Sequence, residues 1–211
     1  MNDAAKIHLS AYEKELVSNT EWIFTKQIII KKVYDLFGAV HDEFKSVIKE
    51  EKASLPFGLH LKSGKITKGE NYRGLPFVIL DYPAIFGKKN VFAVRTMFWW
   101  GNFFSISLHI SGEYFKKTKH HEEAFNFLKQ QDFFICINDK EWEHHFLPDN
   151  FIEINSLNSG QMEEIRKQDF FKIAQKISLA QWESVPQFLK LSMERIIHFI
   201  KISYPGGEKV L

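Results

Sequence analysis

The sequence contains only one cysteine, Cys136, among its 211 residues. A single cysteine excludes an internal disulfide framework and a zinc site of four thiolates. Cys136 lies in the apolar run DFFICIN, where a thiol normally serves as a small buried hydrophobe. The fold must therefore be held together by a hydrophobic core, which a chain of this length can supply.

Long apolar runs are absent as well. The most apolar stretch is VFAVRTMFWW, which Arg95 interrupts, and it is far shorter than the roughly 20 residues of a membrane-spanning helix. The N-terminal residues include acids and lack the apolar core of a secretory leader. We expect a cytoplasmic protein that has no membrane partner.

The sequence also lacks the motifs of common enzyme classes. Gly64 and Gly69 have the spacing of a phosphate-binding loop, but Glu70 and Asn71 occupy the positions of its lysine and hydroxyl residue. Neither GxGxxG nor GxSxG occurs, and His121 begins HEEAF without the second histidine of a zinc-protease helix. We expect no cofactor, and whether the chain is an enzyme stays open.

A histidine pair is the remaining candidate for metal binding. His144 and His145 are neighbours, and neighbours on a strand point to opposite faces, so at most one of them could join a given site. Such a site would need Glu141 or Glu143 and a distant ligand such as His109. Hydrogen-bonded or solvated histidines explain the pair more simply, so we expect no metal.

Charge is balanced overall but is segregated along the chain. The net formal charge is +2, yet residues 60–119 carry ten basic and three acidic residues, and residues 120–169 carry four basic and eleven acidic residues. Because the connection between the segments is short, we expect them to be neighbours that offset each other, with Lys116, Lys117 and Lys119 near acids of the second segment. Neutralisation of this kind does not favour a nucleic-acid partner.

A basic loop keeps nucleic-acid binding open as a further alternative. The loop combines cations with an aromatic residue, as single-strand binders do: Lys62, Lys65, Lys68, Tyr72 and Arg73. A solvated hairpin loop explains the same composition, and the net charge is far below that of a typical binder.

Hydrophobic periodicity predicts helices at both ends of the chain. The first helix covers about residues 3–17, and a capping box of Ser18 and Glu21 starts a long amphipathic helix that ends near residue 51. Towards the C-terminus, helices are expected over 160–168, with Asn158 or Ser159 as its cap, and up to about residue 203.

The middle of the chain has strand character. Strands are predicted in LPFVILDYP, VFAVRTMFW, FFSISLHIS, FFICIN, EWEHHF and FIEIN, with a helix in TKHHEEAFNFLKQQ, while residues 169–177 stay ambiguous between helix and strand. Grouped rather than alternating elements indicate an α+β fold: a mostly antiparallel sheet of about five to seven strands, with a long N-terminal helix and C-terminal helices packed on it.

We expect one domain over residues 1–211. Its parts are a helical segment over 1–52, a sheet with one inserted helix over 55–155, and a helical segment over 158–204.

The aromatic hairpin of residues 91–111 is the candidate binding site. A two-residue turn at Gly101-Asn102 would pair Trp100 with Phe103. Both would then lie on the face that also carries the small polar side chains of the second strand. A pocket commonly combines apolar walls with a few polar anchors. The predicted ligand-binding residues are Trp100, Phe103, Ser105, Ser107 and His109; a turn of three residues would exchange the faces of one strand.

Arg95 falls on the apolar side of this predicted hairpin. A buried guanidinium needs a carboxylate partner, and Asp81 in VILDYP is the nearest strand acid. The sequence therefore predicts a structural pair of Arg95 and Asp81 rather than an anion site.

These observations favour a non-enzymatic binding or interaction module that uses its aromatic-rich sheet face. Its partner is a small molecule or a protein, and self-association into a homo-oligomer is left open. The alternative is a small-molecule enzyme with His109 as acid and base, near Ser107. The further alternative is nucleic-acid binding through residues 60–119.

Overall fold

The structure is a computed structural model that describes residues 7–118 and 121–205. These residues form six α-helices: α1 (Ala11–Ser18), α2 (Thr20–Glu50), α3 (Glu113–Lys116), α4 (His121–Lys129), α5 (Ser159–Lys167) and α6 (Val185–Ser203). No helix among them is long and apolar enough to cross a membrane.

The helix starts follow local capping chemistry. Ser10 and Glu13 form a capping box at α1, so this helix begins later than the predicted residue 3; residues 3–6 lie outside the described part. Asn19 caps α2 by accepting from the N–H of Trp22, in place of the predicted box of Ser18 and Glu21. Ser18 belongs to α1, where its hydroxyl donates to a backbone carbonyl.

The sheet confirms the predicted α+β class. Its seven strands are β1 (Lys65–Tyr72), β2 (Leu75–Phe86), β3 (Val91–Trp99), β4 (Phe103–Ser111), β5 (Phe134–Cys136), β6 (Phe151–Glu153) and β7 (Phe170–Ser178). They pair antiparallel in the order β1-β2-β3-β4-β7-β5-β6. The ambiguous segment 169–177 is thus a strand between β4 and β5, inside the region expected to be helical.

Helices α2 and α6 cover one face of the sheet. The second half of α2 buries an apolar stripe at steps of three and four residues: Val33, Phe37, Val40, Phe44 and Ile48. Leu189, Met193, Ile196 and Ile200 form the matching stripe of α6. Both stripes belong to one hydrophobic cluster with the inward-facing residues of the central strands.

The turn between β3 and β4 contains three residues rather than the predicted two. Trp99 pairs with Phe103, so the turn is Trp100-Gly101-Asn102, and the Asn102 N–H donates to the Trp99 carbonyl at 3.0 Å. Gly101 takes a φ of 71°, which glycine adopts without strain. Side chains alternate between the two faces of a strand, so the extra turn residue moves each β3 side chain to the opposite face, relative to β4, from the one predicted.

The predicted strand EWEHHF is not a strand. Residues 141–146 run as an irregular segment over the sheet face opposite the helices, and β5 and β6 pair on either side of it in sequence. Its backbone groups bond to side chains instead of a neighbouring strand, as described below.

Gly112 carries the sharpest backbone constraint near the central strands. It links β4 to α3 with φ 59° and ψ −133°, and an added Cβ would overlap the Lys89 carbonyl and the Asn90 side chain. We predict that Gly112→Ala lowers the free energy of unfolding by at least about 2 kcal/mol in urea denaturation. Gly38→Ala is the matched control.

An added Cβ at Gly38 meets nothing within 4 Å, in the middle of α2. Gly38→Ala should therefore raise the free energy of unfolding by about 0.5–1 kcal/mol. Equal destabilisation by the two substitutions would contradict this account of the backbone.

Candidate functional site

Four of the five predicted binding residues share one face of β4. Phe103, Ser105, Ser107 and His109 alternate along the strand and pair across from Trp99, Met97, Arg95 and Ala93 of β3. Trp100 does not join them. It lies on the helix side, where its ring meets that of Trp22 edge-on at 6.0 Å.

This polar sheet face is closed by the chain itself. Residues 137–150, here called the cover segment, lie over it, and Ser105, Ser107 and His109 are only 6%, 7% and 4% exposed. The His109 ring packs edge-on against Trp142 at 5.0 Å and against Phe170 at 5.7 Å. The predicted binding surface is therefore an interior in this structure.

Tyr72 fastens the cover segment from the β1 side. Its phenol oxygen accepts the backbone N–H groups of His144 at 2.7 Å and His145 at 3.1 Å, and donates to the Glu143 carboxylate at 2.9 Å. Burial raises the pKa of Tyr72 to about 12. The phenol thus stays protonated, and its ring packs against those of Trp99 at 5.1 Å and His144 at 5.7 Å.

Lys172 fastens the cover segment from β7. This side chain is 1% exposed, and its ammonium nitrogen donates to the Glu141 carbonyl at 2.9 Å and to the Glu143 carbonyl. Two carbonyls that lack a strand partner are satisfied in this way, which explains why residues 141–146 lie on the sheet without extending it. Nothing in the sequence around Lys172 distinguished it from a solvated lysine.

The predicted pair of Arg95 and Asp81 is confirmed. Arg95 binds the carboxylate with two parallel bonds, from Nε at 2.7 Å and from Nη2 at 2.9 Å. Both side chains are mostly buried, and such a forked geometry is the strongest way to hold a guanidinium away from water. Trp142 of the cover segment lies over the guanidinium at 5.5 Å.

His144 lies between the two buried cations. Arg95 can only donate, so its Nη1 donates to Nε2 of His144 at 3.0 Å, and Nδ1 then carries the ring proton. Nδ1 is 3.4 Å from the Lys172 nitrogen. Burial lowers the pKa of Lys172 to about 8, so this side chain is still mainly an ammonium at neutral pH, and the His144 ring lies between two positive charges.

His109 has the most perturbed environment of the predicted residues. Its Nε2 lies 3.2 Å from a carboxylate oxygen of Glu141, but the two are not aligned, so within the described part of the chain Nε2 has no hydrogen-bond partner. Burial first, and then the charges of Lys172 and Arg95, lower the pKa of His109 to about 3. The imidazole is therefore neutral at physiological pH.

Cys136 is buried as the sequence predicted, whereas the contact between the two charge segments forms at other residues than the predicted lysines. The thiol is buried beside the Asn150 amide at 3.4 Å, and burial raises its pKa. Glu143 of the acidic segment lies 3.6 Å from Arg73 of the basic one. Lys116 instead pairs with Glu113 at 2.9 Å, and Lys119 lies outside the described residues.

No metal centre forms in the part of the chain that the structure describes, since no group of three or more His, Cys, Asp or Glu side chains is placed to hold an ion. No family model, no curated protein and no solved structure matches the chain. Function must therefore be argued from its own surfaces.

Sequence reasoning missed the most exposed apolar surface of the molecule. Residues 7–28, here called the arm, comprise α1 and the first part of α2, and none of the residues of α1 is buried. Within the described residues, nine large apolar side chains of the arm are exposed: Ile7, Leu9, Tyr12, Leu16, Val17, Trp22, Ile23, Phe24 and Ile28. Periodicity indicated an amphipathic helix, but it carries no information on whether a partner covers the apolar face.

The bidentate pair under the cover segment gives a direct stability test. Asp81→Asn leaves the Arg95 charge buried without a counter-charge, and we predict a loss of about 3 kcal/mol in the free energy of unfolding, measured by urea denaturation. Glu113→Gln breaks the exposed pair with Lys116 and should have little effect. Equal losses in the free energy of unfolding for the two variants would show that the pair of Arg95 and Asp81 is solvated.

The low pKa of His109 makes the fold sensitive to acid. An unfolded histidine binds a proton near pH 6.5, whereas folded His109 does so near pH 3. The contribution of His109 to stability is therefore fully present above pH 6.5 and is lost as the pH falls towards 3. We predict that His109→Gln reduces the loss between pH 7 and pH 5 by about 2 kcal/mol.

His60→Gln serves as the control, because His60 is exposed and its removal should leave the pH profile unchanged. If His109→Gln and the wild type lose the same free energy of unfolding between pH 7 and pH 5, burial of the neutral His109 imidazole is not the cause of the acid sensitivity.

Proposed function

We propose that this chain is an interaction module that assembles with a second copy of itself through the arm. The observation that carries the proposal is the concentration of exposed large apolar side chains in residues 7–28, against five in the rest of the described chain. Exposed apolar surface that is concentrated in this way marks an interaction site. The cytoplasmic location expected from the sequence is kept as part of the proposal.

The short helix α1 supports a partner for the arm. It has eight residues, none of them buried, and isolated helices below about 12–15 residues are marginal in water. The capping box adds local stability, but a short helix usually gains most of its stability by packing its apolar face against another part of the protein or a partner. A second chain on the arm would supply that cover.

Charge complementarity favours a second copy in antiparallel orientation. Residues 11–21 carry three acids and one lysine, whereas residues 22–34, which extend past the arm, carry three lysines and no acid. Lys26 and Lys31 pair with Glu70 and Asp35 at the surface, and Lys32 adds a third positive charge. Two copies that run antiparallel place the acidic part of each arm against these lysines of the other. A parallel pair would place like charges together, which is unfavourable.

The size of the arm also fits a self-association surface. A stable interface takes about 20–30 residues from each partner, and the arm spans residues 7–28. Its root continues into the aromatic turn, because Trp22, which is 43% exposed, contacts Trp100. The aromatic residues that the sequence pointed to therefore extend the same apolar surface.

The alternative functions rest on weaker support. His109 as acid and base would need a substrate to displace the cover segment, and the basic-loop residue Tyr72 is engaged by that segment. We therefore retain both as predictions and base the proposed function on the arm.

The proposal is tested by sedimentation velocity over a dilution series. Phe24 and Ile28 are 61% and 56% exposed and lie one turn apart. We predict a dimeric wild type and a dissociation constant raised at least about 100-fold in Phe24→Ser/Ile28→Ser, since each dimer loses four apolar contacts. The substituted side chains make no core contact, so the melting temperature of the isolated subunit should hold.

Leu61→Ser and Phe86→Ser are the matched controls, because both side chains are exposed outside the arm at 77% and 52%. They should leave the dimer intact. A monomeric wild type at every concentration, or equal weakening by the control variants, would overturn the proposal.

The orientation is tested in the same assay by charge exchange. Glu15→Lys/Glu21→Lys should weaken an antiparallel dimer, and addition of Lys31→Glu/Lys32→Glu in the same chain should restore it. A parallel dimer would respond to neither change, because like charges would face each other in every variant.

A further inference from the structure

A cavity of about 790 Å³ lies beside α4, α5 and α6, and no residue of the arm lines it. We call it the groove. Its volume is within the roughly 300–1,000 Å³ of small-molecule sites. Its lining comprises nine apolar residues, from α3 to α6, β7 and residues 154–157, and seven polar or charged ones.

One wall of the groove is a column of three aromatic rings. Phe171 stands in the middle, stacked on Phe115 at 6.3 Å with an angle of 16° and on Phe199 at 5.5 Å with an angle of 11°. Ile154 and Ile165 also line the cavity. Near-parallel rings present a flat apolar surface, which suits a planar or extended apolar body.

Two cations line the same cavity. Arg166 makes no ion pair with residues 7–118 or 121–205, and the Lys129 ammonium lies 5.2 Å over the Phe125 ring. Glu122 is the carboxylate of the lining, so positive charge is in excess. A guanidinium that lacks an internal partner is suited to bind a carboxylate with two parallel bonds.

A neighbouring cavity provides a contrast. It measures about 630 Å³ and shares Glu122 and Asn126 with the groove, but its lining includes Glu123 and no lysine or arginine. An anion would meet repulsion there. The combination of aromatic wall and excess cations belongs to the groove alone of these two cavities.

We propose that the groove binds a carboxylic acid with an aromatic or extended apolar body. The body lies on the column of phenylalanine rings, and the carboxylate is held by Arg166 and Lys129. This site is independent of the arm, so the chain would combine self-association with recognition of a small organic anion.

The test compares two probes that differ only in charge. 2-Naphthylacetate carries the carboxylate, and 2-naphthylacetamide is its neutral counterpart; both are titrated into the full chain by calorimetry. The carboxylate should bind about tenfold more tightly than the amide, as expected for a charge-assisted bond at a partly exposed site. Lys129→Gln/Arg166→Gln should abolish that difference and leave amide binding unchanged.

Three variants separate the groove from other surfaces. Lys167→Gln is the matched control beside Arg166, because Lys167 already pairs with Glu164, and it should have no effect. Asn126→Trp places a bulky ring at the groove lining and should weaken both probes about tenfold or more. Phe24→Ser/Ile28→Ser should change neither, because the arm is not part of this site.

Equal binding of the two probes by the wild type would overturn the charge recognition. Binding that survives Asn126→Trp or that is lost with the arm substitutions would place the probe elsewhere and overturn the site. Absence of binding by both probes in the wild type would also overturn it. None of these outcomes bears on the sedimentation result for the arm, so the two proposals fail separately.

Discussion

The register between β3 and β4 decides how the rest of the molecule is arranged. The three-residue turn at Trp100-Gly101-Asn102 places Arg95 and His109 on one face and leaves the other face apolar. The apolar face can be covered by helices alone. The polar face cannot, because buried charges and imidazoles need partners with matched geometry.

The cover segment meets that need with both backbone and side chains. Lys172 and Tyr72 bind its carbonyl and N–H groups, while His144 reaches down between the two cations. Asp81 neutralises Arg95 from the neighbouring strand. A helix would have bonded its backbone groups internally, and a strand would have bonded them to a neighbouring strand, so an irregular segment is what leaves them free for Lys172 and Tyr72. The buried charges and most polar groups of this face thus find their partners within the same chain, whereas the large apolar side chains of the arm stay exposed.

Several features could be predicted from the sequence because each depends on local pattern. Apolar periodicity located α2 and α6, alternation located the central strands, and the cost of an unpaired guanidinium identified the pair of Arg95 and Asp81. The shared face of Phe103, Ser105, Ser107 and His109 also followed from the period of two along one strand. These inferences need no knowledge of what lies across the sheet.

The features that were missed depend on distant parts of the chain. A turn of two residues and a turn of three can have similar compositions. The difference nevertheless decides whether Arg95 lies on the same face of the sheet as His109. Lys172 reads as a surface lysine until β7 is placed in the centre of the sheet. The segment EWEHHF alternates like a strand, but its partners are the side chains of Tyr72 and Lys172. Neither the groove nor the exposure of Phe24 and Ile28 has a local signature, since both follow from which elements pack and which do not.

The two edges of the sheet have a consequence for how copies of this protein can meet. β1 carries Lys65 and Lys68 and has an irregular register between Gly69 and Tyr72, while β6 at the other edge is only three residues long. Charged, irregular or short edges resist the addition of a further strand. Growth of the sheet from one molecule into the next is thereby discouraged, and with it the open-ended stacking that leads to fibres. The proposed pairing of two helical arms closes on itself after two copies, so assembly by that route would be finite.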